Sequence, residues 1–364
     1  HIIIESKDEL WKLRGSKYVQ SNIEETYRET KQLLDVGRIV LYTGMPCQID
    51  GLLHYLRKDY ENLITVDLLC RGIASNELFK KFIRENYRDK KIEKISFKDK
   101  KPLGWGATTS YQMSDGSIEK TNTHNSIWMC AYLANIMDRK SCYSCKFNTD
   151  KRVGDISIGD FWGIDKWNKQ YNDTKGTSII IVNSQKGEHL INNIKGKCKL
   201  IEKVPLEAGV PYNSALCAHV QKTPKRKLFF ESLMKMPFPP AIDRTIYGKK
   251  YHVGIVGWWY NLNYGGTITY YALNRAIQKM GYSVLMIRRS SSSPQMPNDN
   301  TVPMRFAKKH YNISRLYTTR DLHWVNYSCH AFVSGSDQLW NPYLQEFSGP
   351  EFFLSFVNGH NLKL

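Results

Sequence analysis

The sequence predicts an α/β protein: a parallel-rich sheet in the first two-thirds, then a second, Rossmann-like α/β unit. Two stretches carry that reading. Residues 38–42 (RIVLY) and 63–69 (LITVDLL) are short β-rich runs, and between them residues 48–56 place Ile49, Leu52, Leu53 and Leu56 at helical spacing. That order is a βαβ unit, whose two strands run parallel in one sheet. The pattern restarts at residues 251–257 (YHVGIVG), with a loop, a helix over 267–280 and a strand over 283–287. Length agrees, because 364 residues with 41% hydrophobic and 24% charged content can bury two ordinary cores.

The remaining elements follow in order. Residues 24–34 are helical and stop at Gly37. Ser75 is placed to cap a helix over 76–87. Residues 94–98 form a strand, and 105–113 pairs with 118–123 across Asp115-Gly116, a hairpin turn signal. A helix over 125–137 delivers Cys142 and Cys145. Residues 155–158 alternate like a strand, 177–183 (TSIIIVN) reads as a buried strand, a helix runs to about Ile194, and 199–204 reads as a last strand. Pro224, Pro237, Pro239 and Pro240 among basic and aromatic residues make 222–250 an extended connector. The expected domains are therefore 1–221 and 251–364, with 222–250 as linker. Residues 290–301 read as a polar loop and 331–334 as another strand. The second unit opens like a Rossmann fold, without the G-x-G-x-x-G fingerprint.

The net charge of +18 is spread along the chain, since residues 250–364 carry 11 Lys/Arg against 5 Asp/Glu and the rest carries 41 against 29. A diffuse basic surface favours anionic partners such as phosphates, nucleotides or acidic glycans. No nucleic-acid-binding signature is present, so nucleic acid is not an expected partner. No apolar run is long enough to cross a membrane. The absence of a starting Met suggests a piece cut from a longer protein. Eight cysteines without a secretion signal suit a reducing cytoplasm, the inner face of the membrane included.

Four of those cysteines form the candidate site. Cys47 lies where the first strand turns into its helix, and Cys70 lies just past the second strand. Both therefore fall at the carboxyl edge of the sheet, where open α/β folds bind ligands. Cys47 is also near a helix N-terminus, which favours its thiolate. Cys142 and Cys145 form a C-x-x-C pair. Four thiolates suit either a cubane iron–sulfur cluster or a structural zinc, and a redox cluster is the leading reading. Ser16-Lys17-Tyr18 reads either as an exposed turn or as a phosphate or flavin contact. Asp155 and Asp160 flank the short strand, where carboxylates can simply cap a turn, and Asp160-Phe161-Trp162-Gly163 reads better as a cofactor wall with Trp162 stacking on a ring.

Several stretches together resemble a known family. They are residues 15–21 (GSKYVQS), 43–48 (TGMPCQ) with Gly51-Leu52, Cys70-Arg71-Gly72, the Cys142/Cys145 pair, and 154–163 (GDISIGDFWG). They look like the C-terminal domain of the coenzyme F-420 hydrogenase/dehydrogenase beta-subunit family, over about residues 1–200. The resemblance implies a flavin-dependent oxidoreductase module. Its 4Fe–4S cluster would be held by Cys47, Cys70, Cys142 and Cys145, with FAD and a deazaflavin-type or other acceptor. Ser16, Lys17, Tyr18, Gly44, Gln48, Asp155, Asp160, Trp162 and Gly163 are then candidate cofactor contacts, and a ferredoxin-like protein is the expected electron partner.

A second resemblance rests on residues 257–267 (GWWYNLNYGGT), Tyr271-Ala272-Leu273 and 333–341 (VSGSDQLWN). These are similar to the polysaccharide pyruvyl transferase family over about residues 252–356, the amino half of a two-domain, glycosyltransferase-type fold. The resemblance implies transfer of pyruvate from phosphoenolpyruvate to a glycan hydroxyl as a ketal. Asn263, Gly265, Gly266, Ser336 and Asp337 are the candidate substrate contacts. Glycan modification, with the first module regulatory or structural, is therefore an alternative function. A zinc-stabilised binding module is another.

Overall fold

The computed structural model describes residues 1–100, 108–122, 126–173, 175–248, 250–260, 264–290, 300–335, 339 and 350–364. The chain divides into two compact units, residues 1–83 with 87–223 and residues 84–86 with 224–364.

The first unit begins with a 3-10 turn, Lys7–Leu13, and then α1 (Thr26–Asp35), β1 (Val40–Gly44), α2 (Pro46–Leu56) and β2 (Leu63–Leu68). The βαβ reading holds: β1 and β2 pair in parallel, with Val40 opposite Leu63 and Gly44 opposite Asp67. Pro46 opens α2, where its missing N–H costs nothing, and Arg57 closes it in the left-handed conformation. Leu34, Leu52, Leu56, Tyr60 and Leu63 form the core that seats both helices on the sheet. Next come α3 (Asn76–Asn86), β3 (Ile92–Asp99), β4 (Thr108–Met113), β5 (Ile118–Asn122) and α4 (Ile127–Leu133). The Ser75 hydroxyl accepts from the Leu78 N–H as expected, a cap worth about 1 kcal/mol. Strands β3, β4 and β5 make a separate antiparallel sheet, and Phe79, Phe82 and Trp128 interlock against Phe97 of β3.

The unit ends with β6 (Ile156–Asp160), the short α5 (Ile164–Trp167), β7 (Ser178–Val182) and α6 (Gln185–Ile194). The main sheet runs β1-β2-β6-β7, with β6 parallel to β2 and β7 antiparallel to β6.

The second unit contains α7 (Lys225–Leu233), α8 (Phe238–Tyr247), β8 (Tyr251–Val256), α9 (Tyr264–Lys279), β9 (Val284–Arg289), α10 (Val302–His310), β10 (Ile313–Tyr317), β11 (Cys329–Ser334) and β12 (Leu362–Lys363). Its five strands lie in the order β10-β9-β8-β11-β12, all parallel. One core on this sheet gathers Val253, Ile255, Trp259, Tyr270 and Met286, and another gathers Leu285, Ile287, Tyr317, Phe332 and Phe352.

Four expectations need correction. Residues 222–250 are not an extended connector, because α7 and α8 occupy most of them. The prolines that suggest a linker sit at helix starts: Pro224 and Pro237 are the N-cap residues, and Pro239 and Pro240 fall in the first turn of α8. Residues 199–204 form no strand; Val204 instead packs by its side chain on the Phe161, Ile164 and Ile179 cluster. Strand β7 is not buried but an edge, with Ile180 and Val182 exposed. The helix expected over 125–137 stops at Leu133, because Asn135 takes the left-handed conformation (φ 54). Residues 105–107, 123, 125 and most of the 290–301 loop lie outside the described residues.

Arg315 and Asp243 form the buried polar centre of the second unit. The guanidinium donates to both Asp243 oxygens (3.0 and 3.3 Å) and to Asp321 Oδ2 (2.6 Å), and the Tyr317 hydroxyl donates to Asp243. Burial pushes the Asp243 carboxyl up, and Arg315 and Tyr317 work against that. Arg315→Ala leaves two carboxylates without their cation, so the second unit should lose about 3–5 kcal/mol in urea unfolding. A loss below about 1 kcal/mol would contradict this placement.

Candidate functional site

The local folding of the first unit brings all four candidate cysteines to one end of the main sheet. Cys47 is in the first turn of α2, directly after β1. Cys70 lies two residues past β2. Cys142 is in a 3-10 turn, Lys140–Ser144, and Cys145 is its C-cap. Three of the thiols sense neighbours in the set: charge on Cys145 acts on Cys47, charge on Cys142, Cys47 and Cys145 acts on Cys70, and charge on Cys145 and Cys47 acts on Cys142. Burial, with these neighbours adding, pushes the Cys70 thiol up to about 12. Cys142 is raised for the same leading reason.

The helix N-terminus does not win at Cys47. Its own N–H and that of Gln48 lower the thiol pKa as expected. Desolvation of the sulfur and the nearby Cys145 outweigh them, and the result is a raised pKa although the residue is exposed. Among the described residues, no three His, Cys, Asp or Glu groups converge tightly enough to enclose a single metal ion.

The backbone carrying these thiols is tied by polar contacts that span the sequence. Arg152 and Asp67 pair with both side chains fully buried, Nη2 to Oδ1 at 2.5 Å. The same guanidinium donates to the carbonyls of Phe147 (2.7 Å) and Leu68 (2.9 Å) and to the Ser157 hydroxyl (3.2 Å). Asn148 donates to the carbonyl of Cys70 itself (2.8 Å). The Arg139 N–H donates to the Ile73 carbonyl, and its guanidinium reaches Gln20. Gly154 donates to Asp67 Oδ2, and a Cβ on it would stand 2.9 Å from the Asp67 nitrogen. Only glycine fits that approach.

Several expected cofactor contacts are engaged by the protein. The Lys17 ammonium donates to the carbonyls of Leu13, Arg14 and Gly15, closing the first 3-10 turn, and Ser16 is half-buried beside it. Gln48 accepts from the Met45 N–H and donates to Ser21, while Gly44 packs against the same side chain. Asp155 accepts from the Thr65 N–H and hydroxyl (both 2.8 Å) and from the Ser184 hydroxyl. Gly163 has φ +81, and a Cβ there would strike the Tyr212 ring at 2.3 Å; the close approach it allows is to Tyr212.

Asp160, Trp162 and Tyr18 come together around a residue that no local sequence signal reveals. Lys98, at the end of β3, donates to Asp160 and stands 5.2 Å from the Trp162 ring centre and 5.9 Å from that of Tyr18. Burial alone would lower its pKa, but Tyr18 and the Asp160 carboxylate outweigh it and raise it. Trp162 is 46% exposed, so part of its ring meets solvent. Nothing in residues 94–98 marks Lys98, since its partner is 62 positions away. In the second unit Gly265 and Gly266 fall in the first turn of α9; Asn263, Ser336 and Asp337 lie outside the described residues.

In metal-free protein, Cys70 should alkylate more slowly at about pH 8.5 than exposed Cys198. Its rate should climb about tenfold per pH unit toward about pH 11, because only the thiolate reacts. Equal rates at the lower pH, read by peptide mapping, would overturn the burial of that thiol. Asp67→Asn strands the buried guanidinium, so it should cost about 3 kcal/mol and speed labelling of Cys142 and Cys145. Unchanged labelling would show that the pair does not hold the cysteine segment.

Residues 37–207 match the family described as the C terminus of the coenzyme F420 hydrogenase/dehydrogenase beta subunit. The match includes all four cysteines and residues 154–163; residues 15–21 precede it. Among solved structures, a chain of the F420-reducing [NiFe] hydrogenase complex from Methanosarcina barkeri is similar at 15% identity, covering 68% of this chain and 74% of that chain, with a TM-score of 0.38. No curated protein matches.

Proposed function

We propose that the first domain, residues 1–221, is an iron–sulfur oxidoreductase module in which Cys47, Cys70, Cys142 and Cys145 hold a 4Fe–4S cluster. The supporting observation is that thiols from three separate segments lie within electrostatic reach of one another at the carboxyl edge of the sheet. Four thiolates are the donor set of a cubane, with one thiolate on each iron. A structural zinc uses the same four ligands, and the metal content of the purified protein separates the two. The family match over residues 37–207 supports the oxidoreductase class.

The cluster, when bound, supplies a one-electron store. The chain's own residues hold its ligands in place: Asn148 fixes the Cys70 carbonyl, and Arg152 fixes the segment after Cys145. Arg139 brings positive charge to Cys47, which favours the thiolate over the thiol. A flavin, or a deazaflavin-type acceptor, is the proposed second redox group. Trp162 and Tyr18 offer aromatic faces for its ring, and Lys98 offers a cation for its electron-rich edge. Residues 251–364 are proposed as the amino half of a pyruvyl transferase-type, Rossmann-like domain acting with phosphoenolpyruvate and a glycan. The all-parallel sheet, with α9 starting at Tyr264, Gly265 and Gly266 after β8, supports that reading.

Protein purified without oxygen should be brown and contain about four iron and four sulfide per chain. Cys142→Ala should remove most of that iron. Zinc in place of iron, or unchanged iron in the variant, overturns the cluster assignment. Denatured protein should release flavin, and Lys98→Ala should reduce the amount retained; no flavin in protein that holds its iron would reject the second redox group. The full-length gene product should consume phosphoenolpyruvate with a glycan acceptor, and no turnover across a broad acceptor panel would count against the transferase.

A further inference from the structure

We infer that Tyr132 and Tyr18 link the cysteine site to the Lys98–Trp162 surface, and that an electron exchanged between a cluster and a flavin crosses these two rings. The inference rests on the redox reading above and adds the residues that join its two halves.

The link begins beside Cys70. Tyr132, buried on α4, donates its hydroxyl to the carbonyl of Gly72 (3.2 Å), two residues after Cys70. It is near enough that charge on Cys70 acts on that hydroxyl. The Tyr132 ring meets Tyr18 edge to face, with centres 4.7 Å apart. The Lys98 ammonium stands 5.9 Å from the centre of Tyr18 and 5.2 Å from that of Trp162. Trp162, half-exposed, ends the series at the surface. Each step is within the range of a ring–ring or cation–ring contact.

Tyr18 is held at this place from two further sides. Phe97, next to Lys98 on β3, packs edge to face on it at 5.6 Å and is itself braced by Phe79 and Trp128. Two residues on, the Gln20 N–H donates to the Ala74 carbonyl (3.2 Å), and the Gln20 side chain accepts from Arg139. The segment that carries Tyr18 is thereby tied to the chain after Cys70 and to the chain before Cys142.

Electron tunnelling decays steeply with distance, and more steeply across a gap than through close-packed atoms. A packed series of side chains between two redox groups is therefore a favoured route. Each electron lost at one group is gained at the other, and neither tyrosine is changed overall. Two electrons, with two protons from solvent, take a flavin from oxidised to fully reduced.

The test uses the full chain, purified without oxygen, holding iron and saturated with FAD. A light flash with a tertiary amine as sacrificial donor puts one electron on the flavin, and cluster absorbance reports its arrival. Tyr132→Leu and Tyr18→Leu should each slow that transfer about tenfold or more, whereas Tyr132→Phe and Tyr18→Phe, which keep the rings, should stay within about threefold. In protein without iron or flavin, Tyr18→Leu should also speed acetylation of Lys98 severalfold, because the ring covers a side chain that is 10% exposed. Unchanged acetylation would remove Tyr18 from the series. Transfer indifferent to both leucine variants overturns the link and leaves the redox reading standing. Iron without flavin, or flavin without iron, in the unaltered protein removes the redox pair and the link with it. Should Tyr132→Leu lose its iron, Tyr18→Leu decides the matter by the same criterion.

Discussion

The buried pair between Asp67 and Arg152 is the interaction on which the cysteine site depends. Both side chains are removed from water, which is costly unless every polar atom finds a partner. Here they do. Asp67 accepts from Arg152 and from the Gly154 N–H, and Arg152 adds two carbonyls and the Ser157 hydroxyl. The product of the network is geometry. Asp67 lies on β2 three residues before Cys70, and Phe147, whose carbonyl Arg152 holds, lies two residues after Cys145. A single guanidinium therefore sets the spacing between the end of a strand and an irregular segment that has no ladder to fix it. Asn148 repeats the tie one residue on, directly to the Cys70 carbonyl.

That rigidity matters because the thiols it gathers resist ionising. Burial and mutual proximity raise Cys47, Cys70 and Cys142 together. A group of thiols that disfavours negative charge is a poor nucleophile and a poor set of redox sensors. It becomes favourable only when a cation compensates the thiolates, and then binding releases protons and stabilises the fold that gathered them. In the cluster reading, the buried ion pair pins the irregular segment before any metal is bound.

The sequence made the scaffold of this site legible and hid its fasteners. The first βαβ unit could be read because strand, helix and strand each announce themselves within a few residues. The C-x-x-C pair could be read because its two sulfurs are local. Asp67 and Arg152 are 85 positions apart, and Lys98 and Asp160 are 62 apart; neither partner carries a local signal for the other. Prolines at 224, 237, 239 and 240 mislead in the opposite direction. They read as linker by composition, yet a helix tolerates proline in its first turn, and the structure uses them there.

The two carboxylates that flank the short acidic strand have separate partners. Asp155 immediately precedes β6 and Asp160 ends it. Asp155 reaches Thr65 and the cap of α6, where its oxygens are taken by Thr65 and Ser184. Asp160 meets Lys98 from β3, with Trp162 exposed beside it. The two carboxylates cannot serve one ligand. The first locks β6 to β2 and so helps hold the sheet edge where the cysteines gather. Of the pair, only the second is placed, with Lys98, Tyr18 and Trp162, to meet a molecule from outside.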